Sequence, residues 1–167
     1  MNKKLRQYIK ENLEKTREKR AFLGSANKMV FEEVDYCRAC ESSLSINNYI
    51  NDNKNENKFQ TLLFKYIDER ELKDSDVYNK VHLDRRLFSK IRNDIDYHPS
   101  KETVILLGIS LELSEEEIES LLESASYSLP KNNYYDLIIR FCFKEGIYDL
   151  KTINDFLDEY NQKMFSY

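Results

Sequence analysis

Between residues 59 and 163, apolar side chains recur at intervals of three and four, a spacing that predicts consecutive helices. Phe59, Leu62, Leu63, Tyr66 and Ile67 mark a first helix. Val77, Tyr78 and Val81 mark a short second one, expected to be capped at Ser75 or Asp76. Asp84 reads as the N-cap of a third, with Leu87, Phe88 and Ile91 on its inner face. Pro99–Ser100 opens a fourth through Thr103, Leu106, Leu107, Ile109 and Leu111. The stretch LSEEEIESLLESA holds a capping box, Ser114 with Glu117 three residues on, ahead of Ile118, Leu121 and Leu122. Two further helices follow Pro130: Tyr134 to Lys144, stopped by Gly146, and Leu150 to Tyr160.

Ahead of this run the pattern is weaker. Lys3 to Phe22 places Leu5, Tyr8, Ile9 and Leu13 at helical spacing among eight basic and three acidic side chains, so an exposed basic helix is expected. Its apolar stripe is short, which favours a solvated or partner-docking helix over one that grips phosphates or lies on a membrane. A second, shorter helical pattern runs from about Met29 to Cys40. Ser45 to Lys58 then combines six Asn with charge and offers little to bury, the composition of a linker. The organisation read from the chain is a basic helical N-terminal arm over 1–44, an Asn-rich linker over 45–58 and a helical domain over 59–163. A fragment starting near Lys58 is expected to fold by itself.

Composition narrows the class. A chain of 167 residues accommodates one domain with an appendage, and its 3 Gly and 2 Pro are too few for the turns of a β-rich fold. The expected class is all-α. The formal net charge of −4 recruits neither nucleic acid nor an anionic membrane in bulk, so any such binding must be local. One place qualifies. From Lys80 to Lys101 there are six Lys or Arg against three Asp, within a chain that is otherwise acidic. Arg85, Arg86, Ser89, Lys90 and Asn93 fall opposite Leu87, Phe88 and Ile91, so the third helix has one apolar face and one basic, polar face. A short helix, a tight turn and a second short helix with such a face make the helix-turn-helix arrangement, whose second helix enters the major groove.

The residues LKDSDVYNKVHLDRRLFSKIRND, Leu72 to Asp94, resemble the Cro and phage-repressor type of helix-turn-helix. Val77 matches its apolar anchor, Leu83 the residue closing the turn, Asp84 the cap, and Phe88, Ser89 and Ile91 the recognition-helix core. HPS at His98 to Ser100 resembles the loop and proline that open the fourth helix of that fold. Tyr78 stands where the family usually has Ala, and His82 where it has Gly. Across Phe59 to Phe156 the chain is also similar to the helical C-terminal region found behind macro domains in bacterial proteins of ADP-ribose-phosphate-processing type. The macro domain itself is absent, and no ADP-ribose chemistry is implied. The resemblance implies a repressor-like five-helix bundle with two additional C-terminal helices and an N-terminal helical arm.

The chemistry expected is that of a DNA-binding regulator of transcription. Arg85, Arg86, Ser89, Lys90 and Asn93 would face the groove, and Lys80, Arg92 and Lys101 would be phosphate contacts. The alternative is a non-enzymatic protein-interaction module, in one version an accessory protein of a phage or mobile-element conflict system. Self-association into a homodimer stays open. Cys37 and Cys40 form a lone CxxC, with only Cys142, His82 and His98 to complete a zinc site from far away, so neither metal nor another cofactor is expected. The two His have no neighbouring nucleophile at a recognisable signature, and no enzyme is expected. No apolar run spans a bilayer and no secretory leader is visible at the start, so a cytoplasmic protein without a membrane partner is expected.

Overall fold

The computed structural model describes residues 3–25 and 58–166 and places eight helices among them. In chain order these are α1 (Lys3–Ser25), α2 (Lys58–Glu69), α3 (Asp74–Lys80), α4 (Arg85–Asn93), α5 (Lys101–Ser110), α6 (Glu115–Ser124), α7 (Tyr134–Lys144) and α8 (Leu150–Glu159). All regular structure among the described residues is helical, as the scarcity of Gly and Pro predicts. The helix expected over Met29 to Cys40, most of the expected linker, and Cys37 and Cys40 lie outside the described residues.

Two helices that are buried on every side organise the core. Thr103 to Ser110 of α5 and Asp136 to Phe143 of α7 are buried without interruption. A helix can dispense with a solvent face only when neighbours cover all of it. For α5 the neighbours are α3 and α6, and for α7 they are α1, α6 and α8, so α6 bridges the two; α2 lies on α6 and α4 on α3. Ile118, Leu121 and Leu122 of α6 are fully buried in that bridge.

Helix starts follow the local code of the sequence. Asp84, Ser100, Ser114, Asn133 and Asp149 each accept a hydrogen bond from a backbone N–H of the turn they open, and Ser114 with Glu117 forms the complete capping box. The start of α3 differs from expectation. It begins at Asp74 after Lys73, one or two residues before the anticipated caps, and Lys73 supplies no side-chain bond. Asp74 and Asp76 instead place acid in its first turn, where the helix dipole favours negative charge.

Helix ends solve the shortage of glycine in one repeated way. After α2, α3, α5, α6 and α8 a non-glycine residue takes the left-handed conformation: Glu71, His82, Glu112, Ser126 and Asn161, with φ between 52° and 60°. The N–H of the next residue then bonds back to a carbonyl five residues earlier, as in Leu83 to Tyr78 (2.9 Å), Leu113 to Gly108 (3.1 Å) and Tyr127 to Leu122 (2.8 Å). This is the Schellman closure. The residue that bonds back is apolar or aromatic in Leu72, Leu83, Leu113 and Tyr127, so each closure is also pinned by burial. Gly146, φ 67°, does the same after α7.

The N-terminal helix corrects an expectation. α1 is not an exposed arm, because Leu5 and Ile9 are 1% and 3% exposed and belong to the core. Its Tyr8 ring meets Phe141 of α7 at 5.5 Å, Arg6 pairs with Glu159 of α8 at 3.2 Å, and Thr16 Oγ1 donates to the Lys131 carbonyl at 2.9 Å. Burying two such aliphatic side chains is worth about 1.5–3 kcal/mol each, a substantial part of the stability of a small domain. The fragment expected to begin near Lys58 would therefore lack part of its own core.

A buried cation ties α6 to α7. Arg140, 9% exposed, bonds to Glu115 at 2.7 Å, to Glu119, and to the Leu129 carbonyl at 3.0 Å. Burial alone would lower its pKa, but the bonds to the two carboxylates outweigh it and hold the guanidinium charged. Its Nε finds no partner among the described residues.

Candidate nucleic-acid interface

The basic face lies on α4, which is fixed by its cap, its buried face and a glutamine from α2. Asp84 Oδ1 accepts from Arg86 N at 2.6 Å and starts it. Phe88 and Ile91 are buried, Phe88 against Tyr78 (5.7 Å) and edge-on to Phe64 (6.4 Å). Gln60 Nε2 donates to the Ile91 and Asp94 carbonyls at 2.5 and 2.8 Å and satisfies orphan acceptors at the helix end. Behind it, Ser110 Oγ donates to the Val77 carbonyl at 2.6 Å, which locks α3 to the central α5.

The residues at which this chain departs from the resembled family have visible roles. His82 adopts φ 53° in the turn, the left-handed conformation that glycine takes most cheaply. Its side chain is exposed. The Tyr78 ring is half-buried and fills the space between α3 and α4 against Phe88.

By helical spacing, Arg86, Ser89 and Asn93 form a line down the middle of the outer face of α4. Arg85 and Arg92 flank it on one side and Lys90 on the other. All six are exposed, and their side chains divide sharply by what they touch. Arg92 pairs with Asp74 at 2.6 Å and its guanidinium lies 4.3 Å from the Phe64 ring centre. Lys90 Nζ sits 4.7 Å from the centre of the Tyr97 ring. Asn93 Nδ2 donates to the Ser89 carbonyl (2.9 Å) and Oγ (3.1 Å). The side chains of Arg85 and Arg86 make no hydrogen bond, ion pair or ring contact among the described residues.

The other two expected phosphate contacts stand elsewhere. Lys80, at the end of α3, pairs with Glu112 at 2.5 Å. Lys101, in the first turn of α5, pairs with Asp136 at 2.5 Å, and the Asp136 side chain is only 5% exposed. Lys80, Arg92 and Lys101 each stand in an ion pair, whereas Arg85, Arg86 and Lys90 have none among the described residues. Sequence reasoning could not sort them, because Glu112 and Asp136 lie 32 and 35 residues from their cations.

Two grooves lie apart from α4. One, of about 520 Å³, is lined by Lys80, His82, Glu112, Tyr148, Asp149, Leu150 and Lys151. The Tyr148 hydroxyl already donates to the Leu113 carbonyl at 2.8 Å, and hydrogen bonds from Thr152 hold the Asp149 carboxyl below its usual pKa. The other, of about 380 Å³, runs between α1, α7 and α8 over Ile9 and Leu13, with Tyr134 stacked on Tyr160 at 5.6 Å. His98 is not part of either groove; its ring meets Tyr127 edge-on at 5.3 Å. Among the described residues no three His, Cys, Asp or Glu gather as metal ligands, and no helix is long and apolar enough to cross a membrane. Compared with protein-family models, curated proteins and solved structures, the chain matches none of them.

Proposed function

We propose that the protein binds duplex DNA through the outer face of α4, with Arg85 and Arg86 as the principal contacts and Lys90 beside them. The observation that carries this reading is the position of the two arginines. They occupy the first turn of the helix, exposed and without a partner among the described residues. Cations there oppose the helix dipole, at a cost of about 0.3–1 kcal/mol each. Lys90 and Arg92, in the last turn, sit where the dipole favours them. The described residues give Arg85 and Arg86 no stabilising polar contact, and an anionic ligand accounts for both. An α-helix with a basic outer face fits the major groove in width, and the phosphate backbone supplies the charge.

The test uses the full chain and a labelled duplex of random sequence at about 50 mM salt, where phosphate contacts are strong. Binding is expected, and it should weaken as salt rises, since each phosphate neutralised releases condensed counterions. Arg85→Glu with Arg86→Glu should abolish it while leaving thermal stability equal or higher, since acid suits a helix start. Absence of any shift at low salt would overturn the DNA reading.

A protein-interaction module is the second reading, favoured by Ile95. This residue follows α4 directly, is 62% exposed and lies between Asp94 and Asp96, an apolar point in an acidic rim. Under it the protein ignores DNA at low salt, and Ile95→Asp disrupts a complex recovered from cell extract.

A further inference from the structure

Resting on the DNA reading of α4, we infer that the face reads guanine: the guanidinium forks of Arg85 and Arg86 recognise duplex sites by paired acceptors on the major-groove edge. The chemistry of the base edges selects the partner of these forks. Each base presents its own pattern in the major groove: guanine two acceptors, N7 and O6; adenine an acceptor beside a donor; cytosine a donor. Reading adenine bidentately takes an amide that offers donor and acceptor together, and reading cytosine takes a carboxylate. The one amide on the face is Asn93, and its Nδ2 is directed at its own helix, to the Ser89 carbonyl and Oγ. The carboxylate nearest the face's leading edge is Asp84, whose Oδ1 holds the Arg86 N–H as the helix cap. Arg85 and Arg86 each present a guanidinium fork with no partner among the described residues, and Lys90 presents an ammonium. A fork of parallel N–H groups is complementary to two adjacent acceptors, and among the four bases guanine alone offers them.

Neighbouring arginines point about 100° apart around a helix, so the two forks reach different bases rather than sharing one. Recognition of two guanines, on the same or opposite strands, is the expected outcome. Ser89, between them, pairs with either donor or acceptor and adds no base preference.

The experiment selects bound sequences from a duplex pool with a randomised core, using the full chain, and then repeats binding with 7-deazaguanine at the enriched positions, which removes the N7 acceptor and keeps the base pair. Expected are guanine at two positions and a weakening of roughly 5- to 150-fold for each replaced guanine. The variant Arg85→Lys with Arg86→Lys keeps the charge and loses the forks, so it should retain affinity for the unselected pool and weaken the guanine preference. Binding without guanine enrichment, or enrichment indifferent to 7-deazaguanine, overturns the inference and leaves the DNA reading standing. Failure to bind even the unselected pool at low salt overturns both.

Discussion

Lys101 Nζ stands 2.5 Å from Asp136 Oδ1 and so joins the first turn of α5 to the first turn of α7, the two helices on which the core is built. Asn133 Nδ2 also donates to Asp136, at 2.7 Å, but only Lys101 brings it a positive charge among the ion pairs of the described residues. Lys101→Ala should therefore destabilise the protein by about 1.5–3 kcal/mol, the worth of a hydrogen bond to a charged group left partly unmade. Urea unfolding followed by circular dichroism reads this directly. An unchanged midpoint would mean that the pair is not formed in solution and that Lys101 is free for a ligand.

The docking of α1 makes a second prediction. Leu5 is 1% exposed, and truncating a buried Leu to Ala costs about 2–5 kcal/mol through lost transfer energy and the cavity left behind. Leu5→Ala should lower the denaturation midpoint accordingly, and a chain lacking residues 1–25 should be weakened at least as much. Leu5→Ala with the wild-type midpoint would show that the helix stands away from the bundle.

Gly108 of α5 faces the Ile118 side chain of α6. A Cβ added there would lie 2.4 Å from Ile118 Cδ1 and 3.2 Å from Phe143 Cζ, and both side chains are buried. In an open helix Gly108→Ala would gain about 1 kcal/mol of helix propensity. Here the Ile118 methyl must move within a filled core, and overpacking costs about 1–3 kcal/mol. The net expectation is a small loss of thermal stability, reversed when Gly108→Ala is combined with Ile118→Val, which shortens the chain that meets it.

Cys142 carries a pH dependence. Burial pushes its thiol up to about 12, well above the ordinary value of 9.0. The unfolded chain ionises the thiol first, so the native state binds the extra proton, and stability should fall as pH rises from about 9 towards 12. Cys142→Ala should flatten that slope. In native protein near neutral pH, peptide mapping after alkylation should find Cys142 unmodified, since it is both protonated and 1% exposed. Rapid native labelling would contradict its placement in the core.

The sequence by itself determined the helices from Phe59 onward, most of their caps and which side of each faces inward. Those features depend on interactions within three or four residues, such as Asp84 with Arg86 N, or Ser114 with Glu117, and such interactions are legible as spacing. The basic, polar face of α4 was legible for the same reason, as the complement of Phe88 and Ile91. Only the tertiary structure decided where α1 goes. Its apolar stripe is short and its charge reads as solvated, and burial is settled by Phe141 and Glu159, more than a hundred residues distant. The tertiary structure also decided which cations stand in ion pairs. Lys80, Arg92 and Lys101 look the same in sequence as Arg85 and Arg86, but Glu112, Asp74 and Asp136 reach the first three across folded distance. Electrostatic pairing acts through space and not along the chain, so a count of charges could locate the basic segment but not separate its paired members from its two unpaired arginines.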